Sequence, residues 1–81
     1  AEKQILSPFV GVFYCSATPG GDPFVRTGQS IKKGDVLCIV EAMKLMNEIA
    51  ADCPMRILKI LVDNGTVVAS DQALFEYEPV G

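Results

Sequence analysis

The chain has 81 residues, 49% of them hydrophobic, so it is long enough to fold as one domain around its own core. Its formal net charge is −3 and its seven basic residues are scattered. This composition predicts no binding to nucleic acid or to an anionic membrane surface. No apolar run approaches the roughly 20 residues that a membrane-spanning helix requires.

The cysteine and histidine content argues against a metal site. The three cysteines, an odd number, show no CxxC spacing, and the chain has no histidine. Zinc would have to be bound by thiolates and carboxylates alone, so we expect no metal. We predict free thiols in a reducing compartment, and the residues concerned are Cys15, Cys38 and Cys53.

The chain contains an internal repeat, so that its two halves resemble each other. Residues 24–41 align with residues 61–78 at a constant offset of 37 residues, and the identical pairs are Val25/Val62, Gly28/Gly65, Leu37/Leu74 and Glu41/Glu78. Upstream, Pro8 aligns with Pro54 at an offset of 46 residues, which makes the first half nine residues longer. The extra residues fall between Gly11 and Phe24, where Ser16–Pro23 has the composition of a loop.

Turn signals divide each half into short strands. Gly28 and Gly65 occupy the same position in the repeat and each follows a polar residue, which predicts tight turns with positive φ. No segment shows helical periodicity over the roughly 11 residues that such a prediction needs. Short strands at regular spacing predict an all-β barrel or sandwich with pseudo-twofold symmetry.

Alternation along the last strand predicts which side chains face the core. Glu76 and Glu78 alternate with three apolar residues that we expect to point inward, namely Ala73, Phe75 and Tyr77. By the repeat, the inward residues of the first half are Val36, Cys38 and Val40, which makes Cys38 a small core residue. Three residues break the alternation, and we expect neighbouring loops to cover them in part: Leu37, Ile39 and Leu74.

A hairpin is predicted where the two halves meet. Strand Val36–Glu41 reverses into strand Leu45–Ala50, with Met43 and Lys44 as the two central residues. The resulting register places Cys38 opposite Ile49 and Val36 opposite Ala51. Two-residue hairpins favour type I′ turns with positive φ at both central positions, where Asn-Gly is common and Met-Lys is unfavourable. Such strain costs on the order of 1–3 kcal/mol and is tolerated mainly where function requires it.

The turn lies within the sequence Glu41-Ala42-Met43-Lys44-Leu45-Met46-Asn47-Glu48. This stretch resembles the attachment motif of biotinyl carrier domains, in which biotin acylates the lysine. The resemblance implies covalent biotin on Lys44, surrounded by Ala42, Met43 and Leu45. It also implies that a biotin ligase or a partner enzyme recognises Glu41, Met46 and Glu48.

The resemblance extends over nearly the whole chain. Ser7–Tyr14 is similar to the first strand region of biotin carboxyl carrier domains, and the insertion at Ser16–Pro23 resembles the "thumb" of the carriers that serve multi-subunit acetyl-CoA carboxylases. The implied fold is all-β, a flattened barrel of two four-stranded antiparallel sheets with a protruding thumb. Ser16, at the base of the thumb, is the implied contact to the biotin ring.

The resemblance implies a carrier that catalyses nothing itself. A biotin protein ligase would acylate Lys44, a biotin carboxylase would place CO2 on the biotin ring, and a carboxyltransferase would pass it to acetyl-CoA to give malonyl-CoA for fatty-acid synthesis. The expected compartment is the bacterial cytoplasm or the plastid stroma. Residues 1–81 would form one biotinyl domain, the C-terminal part of a longer subunit.

Two alternatives remain open at this point. A lipoyl carrier shares the fold and the lysine position, although lipoyl hairpins typically read Asp-Lys-Ala at the tip. An unmodified biotinyl-like protein that regulates the carboxylase complex is the second alternative, although such relatives lack the lysine. An enzyme is not supported, because the chain has no histidine and no pair of acids in a recognisable catalytic setting.

Overall fold

The computed structural model describes residues 3–80, which form eight strands and no helix. The strands are β1 (Lys3–Leu6), β2 (Gly11–Tyr14), β3 (Ser30–Ile31), β4 (Val36–Ala42), β5 (Leu45–Ala50), β6 (Met55–Ile60), β7 (Thr66–Val68) and β8 (Ala73–Pro79). A helix able to cross a membrane is accordingly not found within these residues.

The strands form two four-stranded antiparallel sheets, in the orders β1-β8-β6-β3 and β5-β4-β2-β7. The all-β prediction of two such sheets is therefore confirmed. The inner faces pack on each other, and the rings of Phe13 in one sheet and Phe75 in the other lie 6.0 Å apart at a tilt of 59°. Offset and tilted ring pairs of this kind stabilise cores beyond the area they bury.

The pseudo-twofold repeat is visible in equivalent backbone hydrogen bonds. The Gly28 N–H donates to the Ile57 carbonyl and the Gly65 N–H donates to the Phe13 carbonyl, both at 2.7 Å. Both glycines have positive φ, at 87° and 81°, as the sequence predicts. Gly28 and Gly65 are 37 residues apart, whereas the two acceptors, Phe13 and Ile57, are 44 apart.

This second offset corrects the alignment of Pro8 with Pro54. The Ser7 N–H donates to the Gln72 carbonyl, and the Ala51 N–H donates to the Asp35 carbonyl, so Ser7 and Ala51 are equivalent. The first half is therefore seven residues longer than the second, not nine. The two prolines occupy different positions in connections of equal length, and a shared residue type is not a shared structural position.

Leu37 and Leu74 are fully buried because each occupies a β-bulge. The extra residue lets Leu37 join the core together with its neighbour Cys38, and the repeat places Leu74 in the same situation. The prediction that loops cover these leucines is wrong. The bulge also shifts the register, so Cys38 pairs with Ile49 as predicted but Val36 pairs with Ala50.

The other inward positions largely follow the predicted alternation. The buried core includes Cys38, Val40, Phe75 and Tyr77, while Val36 and Ala73 at the strand ends are only half-buried. Ile39 is 6% exposed but does not belong to the core cluster. It lies on the outer face of its sheet, between Tyr14 of β2 and Glu48 of β5.

Candidate functional site

The β4–β5 hairpin ends in a two-residue turn at Met43 and Lys44. Ala42 and Leu45 form the last pair of the ladder, and the two turn residues have φ of 54° and 65°. Positive φ at both central residues is the geometry of a type I′ turn. The predicted hairpin is confirmed. Lys44 is exposed at its tip, and Met43 is 91% exposed.

Asn47 braces this turn from the inner face of β5. Its side-chain amide donates to the carbonyl of Val40 at 3.1 Å and to the carbonyl of Leu45 at 3.2 Å. The two acceptors belong to opposite strands of the hairpin. The attachment motif did not predict a structural role for Asn47. The available signal was a polar residue on the same strand face as the apolar Ile49.

The outer face of the hairpin carries the residues predicted to be recognised by partners. Glu41 and Met46 oppose each other across β4 and β5, and Glu48 follows on the same face. The Tyr14 hydroxyl of β2 donates to Glu41 Oε1 at 3.3 Å. Burial, and then the charge of Glu41, raises the pKa of Tyr14. The structure thus adds Tyr14 to this face.

The thumb is a closed loop that begins where β2 ends. An isolated bridge joins Ser16 to Pro23, and the Phe24 N–H donates to the Cys15 carbonyl at 2.8 Å. Between the thumb and the hairpin lies a groove of about 230 Å³. The residues lining it are Tyr14, Ser16, Ala17, Thr18, Pro19, Met46 and Asn64.

Ser16 lines this groove, but its hydroxyl already has a partner. Ser16 Oγ donates to the Thr18 carbonyl at 2.7 Å, and the residue is only 7% exposed. The hydroxyl therefore stabilises the turn at the base of the thumb. Among the other groove residues, Asn64 comes from the second half, next to the predicted turn at Gly65, and adjacency to that turn was its only sequence signal.

The predicted site residues of the hairpin occupy different positions. Met43, Lys44 and Leu45 form the exposed tip, and Met46 borders both the hairpin and the groove. Ala42 is 8% exposed and faces the core, so its side chain supports the turn from below. Glu41 and Glu48 lie on the exposed outer face, away from the core.

Several known proteins are similar to this chain in sequence. The relatives include the biotin carboxyl carrier protein of acetyl-CoA carboxylase from Pseudomonas aeruginosa, 56% identical over 71 residues, which cover 88% of this chain and 46% of that protein. A chloroplastic protein of the same description from Arabidopsis thaliana is 47% identical over 75 residues, covering 93% of this chain and 27% of that one. The chain thus spans about half, or less, of these relatives' length.

A solved structure of a single-chain, multi-domain long-chain acyl-CoA carboxylase matches the fold with a TM-score of 0.83. The match is 22% identical in sequence and covers 99% of this chain and 7% of that one. A family model described as "Biotin-requiring enzyme" matches residues 3–77. The predicted family is confirmed, and the chain belongs to the family of biotin-requiring enzymes as a biotinyl domain.

Proposed function

We propose that Lys44 carries covalent biotin and that this domain is the non-catalytic biotin carboxyl carrier of an acetyl-CoA carboxylase. The observation that carries the proposal is the Met43-Lys44 turn, where two non-glycine residues are held at positive φ on an exposed hairpin tip. Turn chemistry alone would select Asn-Gly at these positions. We infer that function requires this lysine between these neighbours, and this requirement explains why the turn carries Met-Lys and not Asn-Gly.

The tip suits acylation by a separate ligase. The backbone of Lys44 is at the end of a hairpin whose strands are fixed by the ladder and by the Asn47 amide, so the lysine side chain starts from one defined place. A ligase that approaches the tip also meets the outer-face side chains of Glu41, Met46 and Glu48. We infer that these three residues contribute to recognition, with the two carboxylates as the charged contacts.

We propose that the ring of a biotin attached to Lys44 rests in the groove beside the hairpin. Its lining includes the apolar residues Pro19 and Met46 and three residues with polar groups, namely Tyr14, Thr18 and Asn64. A ureido ring has both N–H donors and a carbonyl acceptor, so mixed lining of this kind suits it. Biotin, when attached, supplies a ureido nitrogen that takes up and releases a carboxyl group.

The carrier role also follows from tethering. A cofactor on a flexible side chain reaches successive enzymes at an effective concentration on the order of mM without dissociating. We propose biotin protein ligase, biotin carboxylase and carboxyltransferase as the successive partners, and a longer subunit as the context of this domain. The bacterial and chloroplastic relatives support the bacterial cytoplasm or the plastid stroma as the compartment.

Intact-mass analysis tests the attachment site. The chain is co-expressed with a biotin protein ligase, with and without biotin, as wild type, Lys44→Arg and Lys33→Arg. Lys33 is an exposed turn lysine and serves as the matched control. We expect one biotinyl group on the wild type and on Lys33→Arg, and none on Lys44→Arg. An unmodified wild type would contradict the proposal and favour an unmodified regulatory module or a lipoyl carrier.

The groove is tested separately by comparing amide chemical shifts of the unmodified and biotinylated domain. We expect the largest shifts outside the hairpin at Thr18 and Asn64. Lys59 of β6 lies in the other sheet and should not move. Shifts confined to the hairpin would mean that the ring does not rest in the groove, while leaving the attachment site in place.

A further inference from the structure

Two cysteines oppose each other where the thumb joins the barrel. Strands β2 and β4 pair in one register, with Val12 opposite Glu41, Phe13 opposite Val40 and Tyr14 opposite Ile39. The next position in this register sets Cys15, the first residue after β2, opposite Cys38 of β4. Both cysteines are free thiols in the structure.

Both side chains lie on the inner face of the sheet. Phe13 and Val40, one pair away on the same face, are fully buried in the core. Side chains two residues apart along a strand share a face, so Cys15 and Cys38 point the same way. Cys38 is fully buried within the core cluster, and the half-buried Cys15 packs against that cluster.

The backbone hydrogen bonds of Cys15 show whether it forms a hydrogen-bonded or a non-hydrogen-bonded pair with Cys38. Its N–H donates to Asn64 Oδ1 at 2.9 Å, and its carbonyl accepts from the Phe24 N–H at 2.8 Å. Both backbone groups are therefore engaged away from β4, which makes Cys15 and Cys38 a non-hydrogen-bonded pair. In such pairs the Cα atoms lie roughly 4.5 Å apart, within the range of about 4.4–6.8 Å that disulfides span.

We propose that Cys15 and Cys38 form a dithiol site at which a low-molecular-weight disulfide, such as oxidised glutathione, installs an intramolecular disulfide reversibly. The Cys15 thiolate attacks one sulfur of the oxidant, forms a mixed disulfide and releases one thiol. The Cys38 thiolate then attacks the Cys15 sulfur and releases the second thiol. Two protein thiols are oxidised, the oxidant is reduced to two thiols, and the protein's two protons pass to the leaving thiolates.

The order of attack follows from burial. Cys15 is only half-buried, and its thiol donates to Asn64 Oδ1 at 3.4 Å near the groove. Cys38 is enclosed by the core, and burial raises its pKa to about 12. An external disulfide therefore reaches Cys15, and Cys38 serves only to resolve the mixed disulfide, slowly at neutral pH.

The site is independent of biotin attachment at Lys44, but it lies between the thumb and the strand that leads to the hairpin. Cys15 immediately precedes the thumb, and β4 leads from Cys38 to the hairpin. The disulfide would join the base of the thumb covalently to the strand that presents Lys44. Amide hydrogens at the thumb base should then exchange more slowly in the oxidised chain than in the reduced one.

To test this, the chain is incubated with oxidised glutathione and the remaining thiols are alkylated. The product is then mapped by intact-mass and peptide mass spectrometry. We expect a loss of two hydrogens, one remaining free thiol of the original three, and a Cys15–Cys38 linked peptide that dithiothreitol abolishes. Cys53→Ser should form the linkage as the wild type does. Cys15→Ser, whose fold is checked by circular dichroism, should not lose the hydrogens.

Four results would each overturn the proposal. Glutathione adducts without a linked peptide in Cys53→Ser would show that the opposed thiols do not meet. A linkage that contains Cys53, or disulfide-linked dimers in place of the intramolecular bond, would assign the oxidation to another pair. Loss of two hydrogens in Cys15→Ser would also assign the oxidation to a pair other than Cys15 and Cys38.

Discussion

Replacing Met43 with asparagine should stabilise the domain, because Met43 has a φ of 54°. An L-residue in the left-handed region costs about 1–2 kcal/mol, and asparagine occupies that region several-fold more often than most residues. The Met43 side chain is 91% exposed, so its removal sacrifices almost no packing. We expect Met43→Asn to raise the free energy of unfolding by about 0.5–1 kcal/mol.

Thermal and urea unfolding, followed by circular dichroism, measure this change. For a domain of this size the gain corresponds to a rise in the melting temperature of roughly 2–8 °C. Met43→Val provides the opposite control, since a β-branched residue is poorly accommodated at positive φ and should lower the stability. Lys33→Asn, at an exposed turn residue without positive φ, should change it by less than about 0.5 kcal/mol.

Strain in the turn requires the two Met43 variants to change stability in opposite directions. If Met43→Asn leaves the urea midpoint unchanged, or lowers it at constant m-value, the turn is not strained and the functional argument built on its strain is lost. If Met43→Val is as stable as Met43→Asn, the gain comes from the loss of an exposed thioether and not from the backbone.

Three further predictions concern the support of the hairpin. A Cβ on Gly11 would overlap the Glu41 carbonyl oxygen, so Gly11→Ala should cost about 3 kcal/mol in urea unfolding, and a cost below about 1 kcal/mol would show that β2 and β4 separate easily. Asn47→Ala removes two hydrogen bonds and should cost about 1–3 kcal/mol with faster amide exchange at the turn; unchanged exchange would contradict the bracing role. The phenol of Tyr14, titrated by ultraviolet absorbance in a Tyr77→Phe background, should ionise above pH 10.0 because burial and Glu41 raise its pKa, and Glu41→Gln should lower that pKa. Since the folded state favours the protonated phenol, its contribution to stability is present below pH 10.0 and is lost as Tyr14 ionises; ionisation at or below pH 10.0 would refute this.

The hairpin was predictable because several local signals agree there. Alternation on both sides of Met43-Lys44 leaves one register with apolar residues opposite each other, and the glycine turns at Gly28 and Gly65 repeat at a constant offset. The first signal depends only on neighbouring residues, and the second depends on comparing the two halves of the chain. A single sequence is sufficient where local pattern and tertiary pairing impose the same constraint.

The bulges were not predictable from alternation alone. An additional apolar residue in a strand is equally compatible with a side chain covered by a loop and with a β-bulge. The two arrangements differ only in how the partner strand is registered against it. Leucine occupies the same position in both halves, at Leu37 and Leu74, and this was the one sequence signal that both side chains belong to the core. The role of the Ser16 hydroxyl could not be predicted either, because its acceptor is fixed by the backbone path of the thumb.

The strand pairing has a consequence for synthesis of the chain. The first strand pairs with the last, the second with the seventh, the third with the sixth and the fourth with the fifth. Each of these four pairs joins one strand from each half of the chain. A nascent chain that stops before β5 therefore contains Lys44 but no partner to hold it in the type I′ turn. Synthesis of β5 supplies that partner. The other three pairs, which support the hairpin sheet and build the opposite sheet, form only when the ribosome has completed β6, β7 and β8, so stable presentation of the lysine is coupled to completion of the domain.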